Sequence, residues 1–119
     1  MHVTHVLVAD DSTELGAFVR AALEEAGFDV VVTSSGTAAI ALMEQGSVDV
    51  AILDVLMPGM SGDVIAERLR RISPDLPVLL MTGSYGDQFV AGVPAPVLHK
   101  PFSAEELVAA VERLTGRAA

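Results

Sequence analysis

The sequence predicts an open α/β domain, a five-stranded parallel sheet with helices on both faces. Two observations carry that expectation. Short apolar runs alternate five times with stretches whose apolar residues recur at i, i+3, i+4 and i+7, which is strand followed by one-sided helix. The run Val50-Ala51-Ile52-Leu53 is apolar at successive positions, so both sides of that strand are buried, as in a sheet covered above and below. It ends in a single carboxylate, Asp54, and ligands of such sheets collect at the edge where the strands end.

The elements follow in order. His5-Val6-Leu7-Val8-Ala9 is the first strand and runs into Asp10-Asp11. Asp11 stands three residues before Glu14, a capping-box-like start for a helix. Leu15, Phe18, Val19, Ala22, Leu23 and Ala26 keep to one buried face, and Gly27 ends the helix. Residues 28–33 form a β-branched second strand, and Ser34-Ser35-Gly36 a loop. Residues 37–45 form a second helix with Ile40 and Met43 on one side, closed by Gly46. After the third strand and a Pro58-Gly59-Met60 loop, Ser61 caps a third helix with Ile65, Leu69 and Ile72 inward. Arg68, Arg70 and Arg71 read as its solvated face. Ser73-Pro74 breaks that helix, and residues 77–81 form a fourth strand that ends at Thr82-Gly83.

Gly83, Gly86, Gly92, Pro94 and Pro96 leave only residues 87–91 free to be helical, so a fourth helix is expected to be short or distorted. Pro96 falls inside the expected fifth strand, 95–99, and proline cannot donate to a ladder, which places that strand at a sheet edge. Lys100-Pro101-Phe102 is a turn. Ser103 and Glu106 make a capping box for a last helix that buries Leu107, Val111 and Leu114.

Composition narrows the function. The chain of 119 residues is read as one domain, 1–119, large enough to fold without a metal or disulfide. It has no cysteine, which excludes thiolate metal sites and thiol catalysis. A formal net charge of -9 with seven Lys and Arg argues against a nucleic-acid surface. No run approaches the roughly 18 apolar residues of a membrane span, and the first residues lack the order of a secretory signal, so a cytoplasmic location is expected.

Parallel strands all point the same way, so Asp10, Asp11, Asp54, Thr82 and Lys100 are brought to one edge. Each alone has a bland reading: Asp10 and Asp11 as helix caps, Asp54 as a loop acid, Thr82 as a strand end, Lys100 as a solvated charge. Jointly they suit a phosphoryl group. Three carboxylates repel one another unless one is protonated or a divalent cation joins them, and Mg²⁺ takes oxygen ligands while keeping waters that a phosphate can replace. A lysine and a hydroxyl add a counter-charge and a hydrogen-bond donor.

Asp10-Asp11, the stretch Leu53-Asp54-Val55-Leu56-Met57-Pro58-Gly59-Met60-Ser61-Gly62, Thr82-Gly83 and Lys100-Pro101-Phe102, in that order, resemble the receiver domain of two-component response regulators over essentially the whole chain. The resemblance implies the strand order 2-1-3-4-5. It implies that Asp54 is the phosphoacceptor for a sensor histidine kinase or phosphotransfer protein. Mg²⁺ would be held by Asp11, Asp54 and the backbone carbonyl of Leu56, with Asp10 acting through water. Thr82 would bond one phosphoryl oxygen and Lys100 pair with another, and the Lys100-Pro101 bond would be cis to aim the lysine. Such a domain is a signalling switch that assists its own phosphorylation and dephosphorylation rather than an enzyme, and is a monomer or weak dimer whose downstream partner is unknown. It is found as a stand-alone regulator, a relay intermediate or a part of a larger protein.

The sequence departs from the family in two respects. The position three before the lysine, aromatic in typical members, is Val97, which has no ring to swing. Tyr85 is the one tyrosine and is a possible substitute or simply a loop residue. With the fourth helix trimmed as well, signalling is expected to use a loop rearrangement or the first helix. Leu56 and Ser84 flank the path of water to a phosphoaspartate and would tune its lifetime. His2, His5 and His99 lack metal-site spacing. Two rivals stand beside this reading. A Mg²⁺-dependent phosphohydrolase would need a second acid two residues after Asp54, where Leu56 stands. A non-phosphorylated interaction module of the same fold would be expected to have lost some of the five polar residues.

Overall fold

In the computed structural model, residues 3–83, 86, 90 and 92–116 are described. The elements are β1 (His5–Ala9), α1 (Thr13–Glu25), β2 (Asp29–Thr33), α2 (Gly36–Glu44), β3 (Val50–Asp54), α3 (Gly62–Ile72), β4 (Val78–Thr82), β5 (Val97–His99) and α4 (Ala104–Thr115). The five strands form one sheet in the order β2-β1-β3-β4-β5, every pair parallel. Among the described residues no helix is long and apolar enough to cross a membrane.

Strand alternation divides the core in two. Leu7, Ala9, Ala51, Leu53, Val78 and Leu80 face Ala39 and Met43 of α2 and Ile65 and Leu69 of α3. Val6, Val8, Val50, Ile52, Leu79 and Met81 face Val19 and Leu23 of α1 and Leu107 and Val111 of α4. All five residues of β3 and all five of β4 are buried, which is why these strands read as continuous apolar runs.

Several details differ from the sequence reading. The cap of α1 is Ser12, whose hydroxyl accepts from Leu15 N at 3.2 Å, and Asp11 is left exposed. The turn that allows this is set by Asp10, whose Oδ1 accepts from Ser12 N at 2.8 Å. Phe18 is 40% exposed because it lies at the rim of the α1 stripe, and its ring leans on Phe102 with centroids 6.2 Å apart. Ser61 occupies the N-cap of α3 without a side-chain cap bond. Ile72, at the last position of α3, is 43% exposed; the chain turns back through Ser73 and puts Leu76 into the core instead. Arg70 is not merely solvated, since its Nε donates to the Leu76 carbonyl at 3.2 Å and fastens that turn. The third-helix ion pair is Arg71 with Glu67, on the exposed side.

The fifth strand begins at Val97, after Pro96, whose carbonyl accepts from Leu80 N at 3.0 Å. It pairs only with β4 and so occupies the sheet edge, but it is shorter than the expected 95–99 and leaves Pro96 outside it. The capping box of α4 is complete, with Ser103 N to Glu106 Oε1 and Glu106 N to Ser103 Oγ both 3.1 Å. Leu107 and Val111 are buried as expected, and Leu114 only partly. The expected helix over 87–91, with Ser84, Tyr85 and His2, lies outside the described residues apart from position 90.

Candidate functional site

The carboxyl ends of β1, β3, β4 and β5 deliver Asp10, Asp54, Thr82 and Lys100 to one edge. Asp54 is the last residue of β3 and is 4% exposed. The backbone is fastened twice at the next residue. Val55 N donates to the Met81 carbonyl, and Gly62 N to the Val55 carbonyl, each at 2.9 Å. The start of α3 comes so close that a Cβ on Gly62 would stand 2.5 Å from the Asp54 carbonyl oxygen. Gly62 is therefore a site-building residue to which the sequence reading gave no role. The available signal was a glycine at the first position of a helix, where the backbone needs no special conformation and only close approach explains it.

Lys100 is held through its own backbone, its N–H donating to the Thr82 carbonyl at 2.8 Å, and the Lys100-Pro101 peptide is cis. Its Nζ lies 3.2 Å from Asp54 Oδ1. Asp10 is 2% exposed, and while Oδ1 is bonded to Ser12 N, Oδ2 is buried without a hydrogen-bond partner. Burial is the largest influence on this carboxyl. With the neighbouring Asp54 charge it outweighs the Ser12 N–H and Lys100, and the pKa is raised to about 6. Asp10, Asp11 and Asp54 each present a carboxylate oxygen, and the three oxygens lie within 4.8 Å of one another. Among the described residues this is the group of acids and histidines able to hold a metal; the exposed His99, register partner of Thr82, is not in it.

Two members are placed differently from the others. Thr82 is 1% exposed, and its hydroxyl donates to the Gly83 carbonyl at 3.2 Å, toward the loop. Leu56 is 42% exposed, just beyond Asp54. Val97 is half-buried, in register with Leu80 and packed against the core under α2 and α3. The arrangement is thus an acidic group open to a hard cation, with one carboxylate already against an ammonium and a buried hydroxyl on the adjacent strand.

The family model described as the response regulator receiver domain matches residues 6–112. The chain belongs to the response regulator receiver family. This is a signalling family of two-component systems. The receiver is 38% identical over 116 residues to the probable transcriptional regulatory protein TcrX of Mycobacterium tuberculosis, covering 94% of this chain and 50% of that protein. It is 34% identical to the sensor kinase CckA of Brucella abortus, where it covers only 12% of the relative. It is 31% identical to the response regulator receiver protein CpdR of the same organism, covering 92% of this chain and 94% of CpdR. A receiver structure from Sinorhizobium medicae superposes with a TM-score of 0.89 at 30% identity, covering 97% and 96% of the two chains. The receiver therefore spans about half the length of TcrX and nearly all of CpdR.

Proposed function

We propose that this receiver accepts a phosphoryl group on Asp54 from a sensor histidine kinase or phosphotransfer protein, with Mg²⁺, and thereby switches its affinity for a downstream protein. One observation carries the reading: Asp54, with Lys100 at 3.2 Å, shares an oxygen cluster with Asp10 and Asp11 in which a buried Asp10 oxygen has no partner. That donor set fits Mg²⁺, a hard cation bound through a few carboxylates and waters. Asp10, Asp11, Asp54 and the Leu56 carbonyl are the residues proposed to hold it. Bound there, it would offset the charge of the three carboxylates and of the incoming phosphate.

The chain's own groups supply the rest. An Asp54 carboxylate oxygen attacks phosphorus as the P–N bond to the donor imidazole breaks, its electron pair remaining on the ring nitrogen. Lys100 leaves its pairing with Asp54 Oδ1 to meet the new negative charge on a phosphoryl oxygen. The Thr82 hydroxyl donates to another oxygen. The domain is its own phosphoacceptor and turns over no separate substrate; a kinase donor implies a cytoplasmic setting, and the domain is read as a monomer or weak dimer. Whether it acts alone or within a longer protein would determine the output.

Incubation with acetyl phosphate or candidate kinases, with Mg²⁺ or EDTA, should give a mass gain of one hydroxylamine-sensitive phosphoryl group, lost with EDTA and in Asp54→Ala. Phosphate retained on Asp54→Ala would sink the assignment. One feature favours the non-phosphorylated module: Val97, packed into the core, provides no aromatic swing. A wild type that takes no phosphate from any donor would favour it.

A further inference from the structure

After β4, Gly86 lies against the Thr82 hydroxyl. Gly86 N donates to the Gly83 carbonyl at 3.3 Å, and the same Gly83 carbonyl accepts the Thr82 hydroxyl at 3.2 Å. Gly86 is buried, and a Cβ built on it would overlap Thr82 Oγ1 while standing 3.2 Å from Thr82 Cβ and 3.5 Å from Val55 Cγ1. The φ of Gly86 lies outside the left-handed region, so the backbone does not demand glycine. Space does. A single methyl group there would compete for the volume that the Thr82 oxygen occupies.

We propose that Gly86 is a positioning residue: its bare Cα forms the berth in which the Thr82 hydroxyl rests against the loop, and so sets how readily that hydroxyl turns toward Asp54. Threonine has three staggered χ1 wells. Filling the loop-facing one transfers population to the others, and Thr82 sits on the strand next to Asp54, one register step beyond its partner Met81. The inference rests on the reading of Asp54 as phosphoacceptor for its kinetic half only. The berth itself is a property of the unphosphorylated receiver.

The test is a double-mutant cycle of Gly86→Ala and Thr82→Ala read in two ways. Three-bond NMR couplings to Thr82 Cγ2 report χ1 without phosphate, and Gly86→Ala should shift them to a different rotamer. With Mg²⁺ and acetyl phosphate, Gly86→Ala should raise the initial phosphorylation rate about threefold or more by removing the resting rotamer. In the Thr82→Ala background the same change should move the rate less than about 1.5-fold, because the oxygen it displaces is gone. Unchanged couplings, or equal rate changes in both backgrounds, would overturn the proposal. If no variant, nor the wild type, takes phosphate, the Asp54 reading fails, and the couplings alone decide for or against the berth. If Gly86→Ala does not fold, a folded double variant supports the contact and an unfolded one refutes it.

Discussion

The loops after β3 and β4 leave the same edge of the sheet, yet they are built differently. The first is tied into the core: Val55 and Met57 are buried, Val55 N reaches across to Met81, and Gly62 presses α3 onto the Asp54 carbonyl. The second, from Gly83 to Ala95, is held among its described residues by bonds of short range, Gly86 N to Gly83 O, Val93 N to Val90 O and Ala95 N to Val93 O, before Pro96 O meets Leu80 N. Of its described apolar residues, Val90, Val93 and Ala95 only partly join the core. The contrast separates two duties. Under the proposed function, Asp54 as nucleophile needs a fixed carboxylate, which the first loop provides, whereas a Thr82 hydroxyl that changes partners calls for no such anchoring.

That contrast can be broken by substitution. The largest stability loss is expected at Leu53→Ala, fully buried one residue before Asp54, at about 2–5 kcal/mol by urea denaturation. A loss below 1 kcal/mol would mean that β3 does not anchor the site. Next is the pH dependence of Asp10. Its folded carboxyl is raised from 3.8 to about 6, so the fold favours the protonated form. Stability from this group is full below pH 4 and is lost as pH rises through 6, up to about 3 kcal/mol in the absence of metal. Stability at pH 5 and 7.5 should differ by about half of that, the rest being lost between pH 4 and 5, with Asp10→Asn flattening the slope and Mg²⁺ recovering stability chiefly at the higher pH.

Gly62→Ala comes third, at about 1–3 kcal/mol, because a Cβ there meets backbone that cannot step aside. It should also slow phosphorylation, since relief must move Asp54. Val93→Ala, in the second loop, should cost less than any of these, about 1 kcal/mol or under, because Val93 is only half-buried. Were it to match Leu53→Ala, the two loops would be equally anchored and the proposed division of duties would fail. The smallest effect is expected at Arg71→Ala, whose pairing with Glu67 is exposed and contributes less than about 0.5 kcal/mol.

Much of the molecule was legible in its residues because the signals are local. Alternating apolar runs marked the strands and Ser103 with Glu106 marked the start of α4; β5 lies at an edge as expected, although it begins at Val97, two residues later than expected, with Pro96 outside it. The misplaced details depend on neighbours. Phe18 and Ile72 share the helical spacing of buried residues, but whether a stripe's rim is covered depends on what packs beside it. Asp11 and Ser12 are both good caps, and the choice between them was made by the Asp10 carboxylate bonding Ser12 N.

For the site, the sequence by itself determined which groups meet, because residues that follow parallel strands must share an edge. It could not determine how they meet. Only the tertiary structure left Asp10 Oδ2 buried and unpartnered, set Lys100 against Asp54, and turned the Thr82 hydroxyl into the space above Gly86. The physical reason is that order along a strand is carried by the chain itself. Burial, pairing and rotamer are decided by atoms contributed from distant parts of that chain, here β1, β3, β4, β5 and the loop after β4.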